Sequence, residues 1–453
     1  MSLSLSLQQR RKQLYQLFDY PVILWSGKAL SRNFPSLHYP FRASSHFLYF
    51  AGLQLENAAI RLDGGRLELF MNNPPPAATL WHGEMATTEQ IASQIGADAA
   101  YPLTELVNKT RDAATIPVQD KATYQEQCQV LGRNLPVSSE LKEKDLALAK
   151  AIVSIRLCHD GYALEELKKA AEVTVKAHKT GIRATSQAKT ESEIRSVIEG
   201  VIIAHNMTCA YNSIVTVQGE VLHNEHYHNQ LKPGDLILAD VGAETSTGWA
   251  ADVTRTWAVS GKFSATQRDI YDLVLEAHDT CITKMRPGVE YRDIHLLAAT
   301  TIAEGLVDLG ILKGNPEDLV TQDAHALFFP HGVGHLLGLD VHDMEDLGDV
   351  AGYEAKRTRS DRLGLKYLRL DRKLCSGMVV TIEPGFYQVR AILNNAKLQQ
   401  KYQKVVDWDR LAQFSDVRGI RIEDDILITD SGTENLTQDL PNTVTEIESL
   451  INQ

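Results

Sequence analysis

The chain has 453 residues, more than one ordinary hydrophobic core accommodates, so two domains are the first expectation. Hydrophobic residues make up 43% and charged residues 23%, a composition typical of a globular protein in water. The formal net charge of -12, from 58 acidic and 46 basic side chains, disfavours nucleic acid as a partner because phosphate attracts the opposite sign.

The five cysteines are scattered along the chain and form no CxxC pair. This spacing disfavours a disulfide framework and a thiolate zinc site, and separate reduced thiols are typical of cytoplasmic proteins. The first residues alternate Ser and Leu and then become basic, without the unbroken apolar run of a secretory signal. No stretch has the length of a membrane span. We therefore expect a cytoplasmic protein without a membrane partner.

Residues 1–157 are predicted to form a smaller α/β domain. Short strands are expected at VILWSG, HFLYFAGL and RLELFMN, and the NPPP sequence that begins at Asn73 is a rigid turn. An Ala-, Leu- and Lys-rich helical run ends near Ile155. Because the pattern changes after this run, we place the second domain at 158–453.

Helical spacing opens the second domain. An Ala- and Lys-rich helix is expected from about Tyr162 to His178, and another follows Thr190, which forms a capping-box pattern with Glu193. Strand-like runs come next at SIVTV, DLILADVGA and AADVTRTWAV.

The same order of elements then recurs. Ser264 and Gln267 cap the next predicted helix, and a further helix is expected from about Tyr291 to Leu309. The runs HLLGLDVHD, GMVVTIEPGFY and GIRIEDDILI predict strands. Two helix pairs, each followed by strands, indicate an α+β domain with pseudo-two-fold symmetry.

Two aspartates in the first set of strands are candidate metal ligands. Asp240 ends an apolar run, where an unpaired carboxylate is expensive to bury, and Asp252 follows after a short turn. Adjacent strands would place the carboxylates side by side, where repulsion keeps one protonated unless a cation lies between them. Either aspartate alone is better explained as a strand-end cap or a surface turn.

Three histidines occur close together in the second set of strands. HGVGH places His331 and His335 four positions apart, but its two glycines predict an extended, tight path, which excludes the helical HExxH zinc motif. His342 follows in LGLDVHD. A lone histidine is more often structural, whereas three beside glycines favour a functional site.

Two glutamates complete the candidate set. Glu383 ends the strand-like run MVVTIEPG, which Pro384 stops. In GIRIEDDILI the alternation puts Arg421 and Glu423 on one face, although an ordinary solvated strand has the same pattern.

Charge balance connects these residues, because two divalent cations would neutralise four carboxylates while a neutral imidazole adds a fifth ligand. Hard oxygen donors with one imidazole suit Mn²⁺, Co²⁺, Fe²⁺ or Zn²⁺. Two such ions about 3.5–4 Å apart activate a shared water near neutral pH, which predicts metal-assisted hydrolysis. The predicted ligands are Asp240, Asp252, His335, Glu383 and Glu423.

Together these motifs resemble those of the pita-bread metallopeptidases, the family that includes aminopeptidase P, prolidase and methionine aminopeptidase. The resemblance covers most of residues 160–440 and rests on LADVGAE, ADVTRTW, HGVGHLLGLDVHD, TIEPGFY and GIRIEDDILIT. It implies a carboxy-terminal pita-bread domain of the creatinase/aminopeptidase type. The run YPFRASSHFLYFAGL is similar to the additional amino-terminal domain of aminopeptidase P and prolidase.

The resemblance implies a role for each ligand. Asp240 and Asp252 would hold one metal. Asp252 and Glu423 would bridge to the second metal, which His335 and Glu383 complete. Glu383 would also take the proton from the attacking water.

The resemblance further implies residues that act around the metals. His223, His331 and His342 match the family's substrate histidines, which orient the scissile carbonyl and stabilise the oxyanion. Arg421 and Tyr387 match positions that orient the ligands.

The implied function is that of an Xaa-Pro aminopeptidase with two divalent ions, manganese before cobalt, zinc or iron. Its substrates would be small peptides with proline in second position. The peptide bond before proline has no N–H, so a protease that binds the substrate backbone through this N–H cannot hold it. Attack by a metal-activated hydroxide does not require that hydrogen bond. Relatives commonly form dimers or tetramers, so a homo-oligomer is expected.

Two alternatives stay open. Prolidase would act only on Xaa-Pro dipeptides, and the insertion at 344–373 and the long segment 387–416 are features that favour it. An arginine of that insertion, such as Arg357, Arg359 or Arg362, would then capture the dipeptide carboxylate. The remote alternative is a pita-bread domain that binds peptides or proteins without catalysis, although all five ligand positions are intact here.

Overall fold

The computed structural model describes residues 1–453, which divide into two compact units. The first unit comprises 1–164, 246–248 and 344–351, and the second comprises 165–245, 249–343 and 352–453. None of the helices combines the length and the apolar composition needed to cross a bilayer.

The first unit is built on a four-stranded sheet. β1 (Val22–Trp25), β2 (Ala59–Asp63) and β3 (Arg66–Phe70) pair antiparallel, and β4 (Ala99–Tyr101) is parallel to β3. Apolar side chains from this sheet form its core with Leu106. The surrounding helices are α1 (Leu3–Leu17), α2 (Ser45–Ala51), α3 (Ala78–His82), α4 (Thr88–Ile95), α5 (Lys121–Leu131) and α6 (Glu143–Arg156).

The prediction of a strand at HFLYFAGL was wrong, because this segment forms helix α2. All seven residues of α2 are buried, so the alternation of polar and apolar positions that separates a helix from a strand is missing. Gly52 ends the helix in the left-handed region with φ 72°, and its α-carbon faces Leu3 and Leu7 of α1. The strands predicted at VILWSG and RLELFMN are confirmed as β1 and β3.

Past residue 160 the chain repeats one order of elements: two long helices, then short strands. The first set has α7 (Gly161–Ala184) and α8 (Glu191–Ala204), followed by β5 (Thr208–Cys209), β6 (Ile214–Thr216), β7 (Leu236–Asp240), β8 (Ala243–Glu244) and β9 (Thr254–Ala258). The second set has α9 (Ala265–Lys284) and α10 (Tyr291–Asp308), followed by β10 (Val379–Ile382), β11 (Gly385–Tyr387), β12 (Gly419–Arg421), β13 (Asp424–Ile428) and β14 (Thr433–Asn435). This order matches the prediction of two helix pairs.

Shorter helices occupy the connections of the second set and the chain's end. They are α11 (Pro316–Thr321), α12 (Asp349–Gly352), α13 (Arg390–Leu393), α14 (Ala396–Tyr402), α15 (Trp408–Ala412) and α16 (Val444–Ile451).

The predicted helix caps are present. Thr190 accepts a hydrogen bond from the Glu193 amide, although the Glu193 carboxylate binds the Lys189 amide and does not close a reciprocal box. Ser264 and Gln267 form the complete capping box of α9. Side-chain oxygens therefore satisfy amides that have no partner within the helix.

Two predicted strands differ in the structure. GIRIEDDILI is divided between β12, which pairs with β11, and β13, which pairs with β10. HLLGLDVHD forms a turn with one isolated bridge, Leu336 to Val380, and no strand. The turn is tight because Gly338 leaves room for the Asp343 carboxyl, which a Cβ at Gly338 would approach to 2.7 Å.

Candidate metal centre

Asp240 and Asp252 meet at the end of the β6-β7-β9 sheet. β9 runs antiparallel to β7 with Asp240 opposite Thr254, so Asp252 lies just outside the paired residues. Gly242 lets the two chain segments touch, because a Cβ there would lie 1.7 Å from the Ala251 carbonyl oxygen. Both aspartates are buried. The adjacent-strand geometry thus brings the two carboxylates together.

Tyr211 connects these carboxylates and was not among the predicted site residues. Its hydroxyl lies 2.6 Å from Asp240 Oδ1 and 2.6 Å from Asp252 Oδ1. Burial and the charge of Asp240 raise the pKa of Tyr211 well above its ordinary value, so the hydroxyl stays protonated and donates. No motif marks this tyrosine, which lies 29 positions before Asp240.

Glu383 and Glu423 approach the aspartates from the second set of strands, and His335 approaches from the turn beside β10. His335 Nε2 lies 3.3 Å from Asp252 Oδ2 and 3.7 Å from Glu383 Oε1. Ligand atoms of Asp252, His335 and Glu423 all lie within 4.8 Å of one another. Glu383 directly follows β10, and Glu423 directly precedes β13. Strand ends from both sets therefore supply one cluster.

Neighbouring groups fix the orientation of these side chains. His335 Nδ1 lies 3.0 Å from the Leu336 carbonyl oxygen, which only accepts, so Nδ1 carries the proton and the lone pair of Nε2 faces the carboxylates. The Thr254 hydroxyl donates to Glu423 Oε2 at 2.7 Å, and Arg421 Nε donates to Thr254 Oγ1 at 2.9 Å.

The electrostatics of the cluster require positive charge. Burial and the charge of Asp240 raise the pKa of Asp252 to about 8, and burial raises the pKa of Glu383 to about 7. Burial and the neighbouring Asp252 raise the pKa of Glu423 well above its ordinary value. These carboxyl groups therefore ionise together only when cations lie among them. Buried carboxylates with one imidazole form a donor set that fits divalent metal ions.

Arg421 links the cluster to the rest of the site. It is buried, and Nη2 lies 2.5 Å from Asp240 Oδ2 while Nη1 donates to the Tyr387 hydroxyl at 3.0 Å. The same hydroxyl lies 2.9 Å from His331 Nε2. Because Arg421 and Glu423 are both buried, the alternative of a solvated strand face is excluded.

A cavity of about 570 Å³ opens over the cluster. Of the predicted metal ligands, substrate histidines and ligand-orienting residues, all but Tyr387 line it: His223, Asp240, Asp252, His331, His335, His342, Glu383, Arg421 and Glu423. The ring centroids of His335 and His342 are 4.3 Å apart. Burial and the charge of Arg421 lower the pKa of His331 to about 3 and also lower that of His223. Both imidazoles are therefore neutral near pH 7, and the one ring proton of His331 lies on Nδ1, which donates to the Gly332 carbonyl oxygen at 2.8 Å.

Further residues line the cavity that the sequence did not indicate. They are Glu220, Leu222, Pro330, Gly332, Gly334, Tyr367, Arg369, Val389 and Ile392. Apart from Gly332 and Gly334, the two glycines of HGVGH, no local pattern identifies them.

The three arginines considered for carboxylate capture do not line this cavity. Arg357 pairs with Glu290 and Asp371, each at 2.7 Å. Arg362 pairs with Asp323 at 2.9 Å. Arg359 donates to the Leu368 carbonyl oxygen at 3.2 Å. These arginines fasten the insertion to its own surroundings, and Arg369 is the insertion's arginine that reaches the cavity wall.

A buried ion pair supports the metal ligands from behind. Arg255, which has no exposed side-chain surface, lies 2.8 Å from Asp424 Oδ1 and donates to the Glu423 carbonyl oxygen at 2.8 Å. His278 Nε2 lies 3.1 Å from Asp424 Oδ2. Burial by itself would raise the pKa of Asp424. The pairing with Arg255 outweighs burial and lowers this pKa to well below its ordinary range. Asp425 accepts from the Asp252 amide at 3.2 Å.

Two family models match the chain. Metallopeptidase family M24 matches residues 165–430, and the aminopeptidase P N-terminal domain matches residues 7–118. Among curated proteins, a probable Xaa-Pro aminopeptidase of Talaromyces stipitatus is 34% identical over 430 residues, covering 91% of this chain and 88% of that protein. A probable Xaa-Pro aminopeptidase of Fusarium vanettenii is 34% identical over 418 residues with the same coverage.

Solved structures of aminopeptidase P are similar along the whole chain. The Escherichia coli enzyme with the inhibitor Pro-Leu has a TM-score of 0.81 at 27% identity, covering 100% of this chain and 98% of that one. Proline aminopeptidase P II from Yersinia pestis has a TM-score of 0.81 at 29% identity and covers 100% of both chains. The likeness confirms the predicted α+β pita-bread architecture with its additional amino-terminal domain.

Proposed function

This chain belongs to metallopeptidase family M24, and from that membership we propose that it is an Xaa-Pro aminopeptidase, releasing the first residue of peptides whose second residue is proline. The observation that carries the proposal is the convergence of four carboxylates and one imidazole in a cavity that also holds three histidines. The domain boundary between residues 157 and 158 is part of the same proposal.

The proposed ligands are Asp240, Asp252, His335, Glu383 and Glu423, holding two divalent ions, with manganese as the first candidate. The proximity of Asp252, His335 and Glu423 supports this set, as do the raised pKa values of Asp252, Glu383 and Glu423. The bound ions would supply Lewis acidity and lower the pKa of water toward neutrality. Arg421 and Tyr387 would keep the acidic ligands and His331 in place through the hydrogen bonds described above.

Proton transfer is assigned to Glu383. Its carboxylate lies within 3.7 Å of both His335 and His331, at the wall of the cavity. A carboxylate there would accept the proton of the attacking water and return it to the nitrogen of the departing proline.

The substrate carbonyl is assigned to the histidines. His223, His331 and His342 line the same cavity, where an imidazole N–H would donate to a developing oxyanion. Asp240 would attract the free α-amine of the substrate. Peptides with proline second are therefore the proposed substrates, and a homo-oligomer in the cytoplasm is the proposed form of the enzyme.

Peptide hydrolysis tests the proposal. Purified protein is depleted of metal with a chelator, resupplied with manganese, and assayed on Xaa-Pro-Yaa-Yaa, Xaa-Ala-Yaa-Yaa and the dipeptide Xaa-Pro. We expect release of the first residue from the proline tetrapeptide only after manganese is restored. Cleavage of the dipeptide alone would favour prolidase, and metal-independent or absent turnover would overturn the proposal.

A further inference from the structure

His223 lies in a segment without helix or strand. This His223 segment, 217–224, connects β6 to the residues before β7 and contributes Glu220, Leu222 and His223 to the cavity wall. Val221 within it is 44% exposed. Such a segment needs anchors to hold one imidazole at a reaction centre, because exposed irregular backbone opens at low free-energy cost.

The strongest side-chain anchor is an ion pair. Arg418 Nε lies 2.9 Å from each carboxylate oxygen of Glu220, and Nη2 also contacts Oε1. The Glu220 side chain is 9% exposed and that of Arg418 is 37% exposed. The guanidinium fork thus engages both oxygens, which fixes the direction of Glu220 as well as its charge.

Arg418 is itself held firmly. It directly precedes β12, and its carbonyl oxygen accepts from the Gln388 amide at 2.9 Å. The Gln388 side chain donates to the Phe414 and Val417 carbonyl oxygens at 2.7 and 3.0 Å. The partner of Glu220 therefore belongs to the rigid backbone that continues into Arg421 and Glu423.

Backbone contact places the two partners in register. A Cβ on Gly219 would lie 2.7 Å from the Gly419 carbonyl oxygen, and a Cβ on Gly419 would lie 2.3 Å from the Gly219 carbonyl carbon. Each glycine immediately adjoins one member of the ion pair. The close approach, which only glycine allows, brings the His223 segment onto the start of β12.

We propose that Glu220 and Arg418 are positioning residues, whose ion pair clamps the His223 segment to the start of β12 and so holds His223 toward the scissile carbonyl. The inference rests on the proposed function, because it assigns a task to His223 in that reaction. Glu220 acts through the segment it anchors, since Arg418 engages both of its carboxylate oxygens.

Single and double substitutions test the clamp in the manganese-loaded enzyme. Glu220→Gln and Arg418→Gln are each expected to lower kcat on Xaa-Pro-Yaa-Yaa about tenfold, with KM nearly unchanged. The kcat of the double variant is expected to be no lower than that of either single variant, because each substitution removes the same interaction. Lys168→Gln, which breaks the exposed Lys168–Glu434 pair, is the matched control and should leave kcat unchanged.

The His223→Ala background separates positioning from a general structural effect. There Glu220→Gln should cause no further loss of kcat, since the imidazole that the clamp holds is gone. Arg418→Lys, which keeps the charge but not the fork, should retain an intermediate kcat and provides a milder variant if the glutamine substitutions unfold the protein.

Three results would overturn the inference. The first is a wild-type kcat in both single variants. The second is a loss of kcat in Glu220→Gln that Arg418→Gln does not reproduce. The third is a loss of kcat from Glu220→Gln in the His223→Ala background that is as large as in the wild type. An active wild type with such variants would leave the proposed function standing. A wild type that does not cleave Xaa-Pro-Yaa-Yaa would overturn the proposed function and the clamp together.

Discussion

The metal ligands and the His223 segment line the same cavity but differ in secondary structure and in the buried contacts that support them. The ligands lie on or beside strands, and the residues behind them, such as Arg255 and Asp424, are fully buried ion pairs. The His223 segment has no regular secondary structure, and side-chain contacts such as the Glu220–Arg418 ion pair hold it. We therefore expect substitutions on the metal side to change folding and metal binding together, and substitutions in the His223 segment to change turnover.

The largest effect is expected from Asp252→Asn. The amide cannot balance the metal charge, so bound metal should be lost. The value of kcat should fall by more than about a hundredfold, which exceeds the effect of removing a residue that only orients a ligand. Elemental analysis and peptide assay measure the two quantities. The control is Asp430→Asn, which replaces an exposed carboxylate that accepts a hydrogen bond from the Ser376 hydroxyl. Undiminished turnover in Asp252→Asn would defeat the two-metal proposal.

Arg255→Met tests whether the metal side is also a folding element. Removing the guanidinium leaves Asp424 buried and without its strongest partner, so the free energy of unfolding should fall by about 3–5 kcal/mol. Urea denaturation measures it. Arg268→Met, which breaks a partly exposed pair with Glu448, should cost no more than about 1 kcal/mol. Equal losses in the two variants would contradict the comparison.

Tyr211→Phe removes the hydroxyl between Asp240 and Asp252 and keeps the ring. We expect metal affinity to fall about 10–100-fold, because groups that orient metal ligands contribute on that scale. Manganese titration of the depleted protein gives the affinity, and circular dichroism checks the fold. Unchanged affinity would show that the carboxylates keep their positions without this donor.

Gly219→Ala is expected to have the smallest effect. The added methyl group collides with the Gly419 carbonyl oxygen and displaces the His223 segment. This displacement should raise the activation free energy of the reaction by about 1 kcal/mol and so lower kcat about fivefold. The thermal midpoint should change little. Gly200→Ala, on the open face of α8, has no such neighbour and serves as the control. A large drop in the midpoint would place this segment among the folding elements instead.

Local sequence patterns predicted much of the fold. Helical spacing and side-chain caps marked α8 and α9, and apolar runs marked β7 and β10, because these signals act within a few residues. The same local logic failed at α2, where complete burial removes the alternation. The alternating pattern also predicted one strand where the structure has two, because β12 pairs with β11 up to Arg421 and β13 pairs with β10 from Asp424.

The sequence motifs identify residues whose side chains can bind metal, namely Asp240, Asp252, His335, Glu383 and Glu423. That these side chains share one cavity, and which unmarked residues support them, is visible only in the folded chain. Tyr211 and the Glu220–Arg418 pair illustrate the reason, since their contacts join positions 29 to 198 residues apart. Contacts of that span depend on how the strands pair and where two glycines meet, which no local pattern records.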